Sequence, residues 1–268
     1  EKAETIYDFL SAALQDRSVS GAGPISILSC DNIRYNGHVL KDALIAYLMA
    51  QGNNELVSWL NENATFPCSM VDRITPRTTK ALETEIIMNL DQCSQSPVHA
   101  ETFIQWVLEN NFATEFPDLA NVGVEIVADV TPYEESKIRI LNGGHTGLAY
   151  LGALAGHFTF DQAMQDHAIR GHFDTWEKDE VLQGLDSNIP FDTSAYLDEI
   201  TRRFESRGIA DKLERICMDG YSKMSIYIRP TISSCLELGI LPKAGFDCIA
   251  SWVIYVRRVQ EGVCKIPY

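Results

Sequence analysis

The sequence predicts an α/β layer followed by a mainly helical part, and three observations carry that expectation. As far as residue 130, short runs of branched and aromatic residues alternate with helix-period segments. From Thr131-Pro132 onward the pattern is almost wholly helical. A chain of 268 residues, 46% hydrophobic and 22% charged, has the balance of one large or two small globular domains.

Taken in order, Ile6, Phe9, Leu10, Ala13 and Leu14 recur at helical spacing, and a turn-rich stretch from Ser18 to Pro24 follows. Ile25 to Cys30 reads as a short buried strand ending in Asp31-Asn32. Helices are expected over 37–52 and 54–62, an extended segment over 66–74, and a further helix after Thr75-Pro76 toward Leu90. The runs 103–108 and 122–130 are β-like. Thr131 before Pro132, with Glu134 and Glu135 in the first turn, is a helix start by capping and dipole criteria. Helical patterns then cover 132–156, 159–166, 167–185, 192–206, 209–219, 230–238 and 243–259. The switch of period sets an expected domain boundary at 130, dividing 1–130 from 131–268.

Composition narrows the partners. A balance of 22 Lys+Arg against 37 Asp+Glu gives a net charge of −15, which repels phosphate backbones and anionic lipid. Neither a nucleic acid nor a membrane is expected as a partner, and the longest apolar run, Gly147 to Gly156, is far short of a span. The seven cysteines (Cys30, Cys68, Cys93, Cys217, Cys235, Cys248, Cys264) show no C-x-x-C and read as reduced thiols of a cytoplasmic chain. His38, His99, His157, His167 and His172 have no metal-ligand spacing, so no metal is expected. The chain opens on Glu1-Lys2-Ala3 without an initiator Met or an apolar signal segment, the start expected of a processed chain or a fragment.

No cofactor loop is found. Gly21-Ala22-Gly23 leads into a strand rather than from a strand into a helix, Gly143-Gly144 lies inside a helical pattern, and there is no P-loop. The informative segment is Tyr133 to His145. At about 100° per residue with Lys137 as origin, Glu134, His145 and Asn142 fall at about 60°, 80° and 140°. An ammonium, an amide and an imidazole on one arc could converge on one small ligand; the same arc also suits a solvated face with a satisfied core histidine. Gly143-Gly144 within a helix costs about 1 kcal/mol each against Ala, which points to a close approach to the backbone there. Ser29-Cys30-Asp31-Asn32 ends a strand, where α/β sites collect, although a helix-capping turn has the same pattern. Asp72 beside Arg73 reads equally as an ion pair, and Arg215 and Lys223 as surface charges.

Together, Ser29-Cys30-Asp31-Asn32 with Asn36-Gly37, Met70-Val71-Asp72-Arg73-Ile74-Thr75-Pro76, Phe103-Ile104-Gln105-Trp106-Val107-Leu108-Glu109 and Lys137…Asn142…His145 resemble the polyol-specific long-chain dehydrogenase family. That family includes mannitol 2-dehydrogenase, D-arabinitol 4-dehydrogenase and the hexuronate reductases. Four motifs in order across 26–150 carry the likeness, and Pro67–Arg77 and Tyr133–Asn142 look most like the D-arabinitol 4-dehydrogenase branch. The resemblance implies the rear part of a Rossmann-type dinucleotide-binding domain over 1–130 and a helical catalytic domain over 131–268. It implies NAD or NADP as cofactor, no metal, and a monomer or weak oligomer.

Carried over by motif, Lys137 is the general base, its basicity lowered from about 10.4 toward 7–8 so that it can accept a proton. Asn142 and Asn32 donate hydrogen bonds to the developing alkoxide or ketose carbonyl. His145 binds a substrate hydroxyl, Glu134 relays the proton to water, and Asp72 orders the substrate and nicotinamide end. Arg215 and Lys223 line the polyol site. Three departures from the family stand out: its Gly-rich loop lies far upstream of these motifs and is absent here, the family pattern continues past Tyr268, and Met224-Ser225-Ile226 replaces a Pro-containing segment. The expected reaction is oxidation of D-arabinitol to D-xylulose, with D-mannitol to D-fructose next, hexuronate reduction third and an inactive sugar-binding remnant as the non-enzyme alternative.

Overall fold

The computed structural model describes residues 4–90 and 97–264, and Cys93 lies outside them. Two compact units are found: Glu1–Arg73 with Phe103–Thr131, and Ile74–Thr102 with Pro132–Tyr268. A single cut was expected at residue 130; in the observed division Ile74–Thr102 groups with the helical unit.

In the first unit, helix α1 (Ile6–Ser20) starts at a capping box in which Thr5 and Asp8 satisfy each other's backbone N–H groups. Strand β1 (Ile25–Ser26) pairs in parallel with β2 (Ala64–Thr65), so only the head of the expected 25–30 strand enters a ladder. Helices α2 (Asn36–Ala50) and α3 (Asn54–Asn63) lie between them in sequence. Leu14, Leu44, Leu48, Leu56, Leu60 and Phe66 form the buried core. A second sheet has β3 (Ser69–Asp72) antiparallel to β4 (Gln105–Glu109), which is parallel to β5 (Glu125–Val127).

The second unit is helical, from α4 (Lys80–Leu90) to α5 (Thr131–Ser136), α6 (Gly144–Ala155), α7 (Phe160–Gln165), α8 (His167–Thr175), α9 (Leu182–Gly184) and α10 (Thr193–Phe204). It ends with α11 (Leu213–Cys217), α12 (Gly220–Lys223), α13 (Arg229–Glu237) and α14 (Lys243–Gln260). The sequence reading left out the 220–229 stretch. Three helices contain π-helical turns, at Lys137–Gly143, Trp176–Val181 and Met224–Ile228, and the first packs on the other two. Helix α6 is buried on most of its circumference, against α14 and α11, as expected of a helix apolar all round. Trp176, Tyr150, Phe160, Phe173, Phe204 and Tyr255 are almost fully buried in this core, each contributing about 1.5–3 kcal/mol by burial. No helix among the described residues is long and apolar enough to cross a membrane.

Candidate active site

Glu134, Lys137, Asn142 and His145 occupy one unbroken helical run, α5 through the π-helical stretch into α6, and all four are buried. Four ionisable or amide side chains inside a protein require specific partners, because burial without them is costly. This excludes the solvated-face reading. The α-helical angles also need correction, because Lys137–Gly143 is wound with i→i+5 bonds and Asn142 and His145 are displaced around the axis relative to Lys137.

Local packing accounts for the wide turn. Arg139, inside it, is anchored outward: Nε donates to Thr231 Oγ1 at 2.8 Å, Nη2 to the Gly184 carbonyl at 3.2 Å and Nη1 to Glu135 at 3.1 Å. The glycine pair is also explained. A Cβ on Gly144 would lie 2.3 Å from Glu177 Oε1, and one on Gly143 would lie 3.3 Å from both the Trp176 ring and the Tyr227 carbonyl. The close approach inferred from sequence is therefore made by the other π-helical segments.

Asn142 offers the clearest chemical signal. Its carbonyl accepts from Thr146 Oγ1 at 2.7 Å, yet its side-chain Nδ2 is buried with no hydrogen-bond partner among the described residues. A buried donor without an acceptor costs about 1–3 kcal/mol and suits a position that a ligand oxygen completes.

His145 is held by rings and a carboxylate. Its imidazole lies 4.0 Å from the Phe160 ring and stacks on Phe204 at 4.9 Å. Nε2 is 3.5 Å from Asp211 Oδ2. Burial lowers the His145 pKa, opposed by Asp211 and reinforced by the charges of Arg215 and Lys223, so the ring is neutral at physiological pH. Burial works against ionisation of Asp211, but the nearby His145 imidazole and the Arg215 hydrogen bonds outweigh it and hold the carboxyl at about 2.

Arg215 and Lys223 are thus part of the His145 environment rather than isolated surface charges. Arg215 Nε donates to Asp211 Oδ1 at 3.0 Å and its Nη2 pairs with Oδ2. Lys223 Nζ donates to the Ile216 carbonyl at 2.7 Å, and burial lowers its pKa. Asp211 was not singled out from sequence; its i,i+4 pairing with Arg215 was the available signal.

In the first unit, Asn32 is exposed and Asp72 is buried on β3. The Ser29–Asn32 loop is shaped by Asn36, another residue to which the sequence reading gave no role. Asn36 Nδ2 donates to the carbonyls of Ser29 (3.1 Å), Asp31 (3.1 Å) and Ser69 (2.8 Å), and its Oδ1 accepts from Ser69 N at 2.9 Å. Ser69 Oγ adds a 2.6 Å bond to the Ser29 carbonyl. Gly37 permits this closeness: a Cβ there would be 2.4 Å from the Phe66 carbonyl oxygen.

Comparison with known proteins settles the family. The mannitol dehydrogenase C-terminal domain matches residues 129–267, and the mannitol dehydrogenase Rossmann domain matches 1–121. The chain belongs to the mannitol dehydrogenase family. It is 36% identical to D-arabinitol 4-dehydrogenase of Klebsiella pneumoniae, over 100% of this chain and 58% of that protein. It is 40% identical to D-arabinitol 4-dehydrogenase of Ralstonia nicotianae, over 98% of this chain and 56% of the relative. Among solved structures, substrate-free D-sorbitol dehydrogenase gives a TM-score of 0.86 at 34% identity, covering 96% of this chain and 53% of that one. The Pseudomonas fluorescens mannitol 2-dehydrogenase ternary complex with NAD and D-mannitol gives 0.84 at 36%, covering 95% and 51%. The chain thus spans little more than half the length of these relatives. Its two family domains are the Rossmann-type and helical parts expected from sequence.

Proposed function

We propose that this chain carries the catalytic and polyol-binding groups of a nicotinamide-dependent polyol dehydrogenase, with D-arabinitol oxidised to D-xylulose as first choice. The observation that carries the proposal is the unpartnered, buried Asn142 amide on the same helical run as buried Lys137. The 36% and 40% identities to two D-arabinitol 4-dehydrogenases support the choice of polyol. D-mannitol to D-fructose is the second choice, since mannitol 2-dehydrogenase is also a relative at 35% identity.

The donor set fits such chemistry: one amine, one amide donor and one neutral imidazole, all buried, with Asp211 behind the imidazole. A bound nicotinamide would supply the hydride acceptor for the carbinol carbon. Lys137 Nζ removes the hydroxyl proton and Glu134 passes it toward water. Asn142 Nδ2 donates to the oxygen as charge builds on it. His145, whose buried Nε2 lies 3.5 Å from Asp211 Oδ2 and has no hydrogen-bond partner among the described residues, binds a neighbouring substrate hydroxyl. Arg215 and Lys223 hold this corner through Asp211 and the Ile216 carbonyl, beside the polyol. For Asn32 and Asp72 the family resemblance supports roles at the nicotinamide end, with NAD or NADP as the cofactor. A cytoplasmic setting and a monomeric or weakly oligomeric state complete the reading.

The test is a substrate panel on the full-length protein. D-arabinitol, D-mannitol, D-sorbitol and hexuronates are each offered with NAD and with NADP, and reduced nicotinamide is followed. The highest kcat/KM is expected with D-arabinitol; no polyol-dependent reduction with either coenzyme contradicts the proposal.

A further inference from the structure

Outside the candidate active site, three side chains far apart in sequence meet in the first unit. A ring nitrogen of His38, the Cys68 sulfur and a Glu109 carboxylate oxygen all lie within 4.8 Å of one another. We propose that His38, Cys68 and Glu109 form a binding site for one zinc-class divalent transition-metal ion.

The fold holds each donor by a separate device. Cys68 and Glu109 are tied to each other twice: Glu109 N donates to the Cys68 carbonyl at 3.0 Å, and Cys68 N donates to Glu109 Oε2 at 2.9 Å. This leaves the second carboxylate oxygen for an ion. His38 is brought in by Gly37, whose missing side chain lets the first turn of α2 rest on the Phe66 and Pro67 carbonyls, directly before Cys68. Its ring stacks on Tyr35, at 6.3 Å between centroids and 10° between planes. The thiol is buried, the carboxylate half-buried and the imidazole exposed, so the cluster is open on the histidine side.

The donor chemistry selects the ion. Thiolate with imidazole and carboxylate suits a borderline-soft cation such as Zn2+ or Co2+, whereas Mg2+ and Ca2+ take oxygen ligands. Bonds of about 2.0–2.3 Å in a tetrahedron set donor atoms roughly 3.3–3.8 Å apart, so donors within 4.8 Å of one another need to tighten by at most about 1–1.5 Å. The exposed His38 ring can approach the other two donors by rotation. Three protein ligands leave a fourth position for water. Binding involves no redox step: the Cys68 thiol gives its proton to solvent as sulfur bonds the ion, so affinity rises with pH. The local sequence spacing could not reveal this set, because its members come from α2, the segment before β3, and β4.

The experiment uses the reduced, tag-free full-length protein. Co2+ is titrated and the thiolate-to-cobalt charge-transfer absorption recorded, and Zn2+ affinity is measured by competition with a chromophoric chelator. One equivalent per chain is expected, with the charge-transfer band lost in Cys68→Ser and retained in Cys30→Ser. His38→Gln, at an exposed position that leaves the fold intact, is expected to weaken Zn2+ by roughly tenfold or more. At equal Zn2+ concentration the ion should raise the Tm of wild type more than that of His38→Gln. A band that survives Cys68→Ser, Zn2+ affinity unchanged in His38→Gln, or no ion retained against the chelator would each overturn the proposal.

Discussion

The Asp211 carboxylate stands 3.5 Å from Nε2 of the buried His145, in a chain where both groups are all but sealed from solvent. Arg215 grips the same carboxylate with two nitrogens, so the aspartate orients the imidazole and compensates a cation at once. For Asp211→Asn we predict a loss of stability of about 2 kcal/mol at pH 7. The sign follows from the depressed pKa of about 2: the contribution is full above the unfolded value near 4 and fades as pH falls toward 2. Urea unfolding of wild type and variant at pH 7, well above that window, and at pH 2.5, near its lower end, checks it. A difference that is the same at both pH values contradicts it.

Glu177 makes the opposite prediction. Both carboxyl oxygens are buried without a hydrogen-bond partner among the described residues, and burial raises its pKa well above the ordinary carboxylate value. The native state therefore holds this proton more tightly than the unfolded chain, and stability falls as pH rises from the unfolded value through the raised one. Glu177→Met, of similar length and apolar, is expected to stabilise by about 1–3 kcal/mol at neutral pH and to flatten that fall. Thermal unfolding across pH reads both effects; a less stable variant at pH 7 speaks against this account of Glu177.

A third prediction concerns Arg203, which donates to Glu101 through Nε at 3.0 Å and Nη2 at 2.7 Å. Glu101 also accepts from Ile74 N at 2.6 Å, tying the 74–102 segment to α10. Arg203→Leu leaves a buried carboxylate without its cation, at an expected loss of about 3–5 kcal/mol. Replacing both residues by apolar ones of similar volume should recover most of it, which a double-mutant cycle measures.

Gly37→Ala tests the packing around Asn36. Its Cβ would meet two backbone carbonyl oxygens that cannot swing away, at 2.4 and 2.7 Å. The expected loss is about 1–3 kcal/mol, with loosened protection of the Ser69 amide in hydrogen exchange because the Asn36 bonds are disturbed. Unchanged stability and protection would show that the first turn of α2 can shift freely.

The sequence displayed the α/β-then-helical order because periodicity switches at Thr131, and the helices Asn36–Ala50, Asn54–Asn63, Thr193–Phe204, Arg229–Glu237 and Lys243–Gln260 lie close to where their apolar spacing put them. It could not display the π-helical turns: they lie where Trp176, Glu177 and the Tyr227 carbonyl crowd Gly143 and Gly144, and no local propensity encodes that. The 25–30 strand was over-read for a related reason. Its apolar run continues beyond Ser26, but Asn36 captures the Ser29 and Asp31 carbonyls and turns the chain into a loop. Lys137, Asn142 and His145 stood out because they share one helical run. Asn36 entered only as part of a motif, Asp211 offered only its i,i+4 spacing to Arg215, and the His38–Cys68–Glu109 group stayed hidden because its members come from distant segments.

The central claim is that Lys137 removes the alcohol proton while Asn142 binds the oxygen left behind. The most direct measurement is steady-state polyol oxidation by Lys137→Ala in the full-length protein, with folding verified by an unchanged Tm. The account predicts a fall in kcat of about 10^2–10^4-fold with KM for the polyol little changed, partly restored by an added small primary amine. A Lys137→Ala enzyme that turns over at the wild-type rate would contradict it.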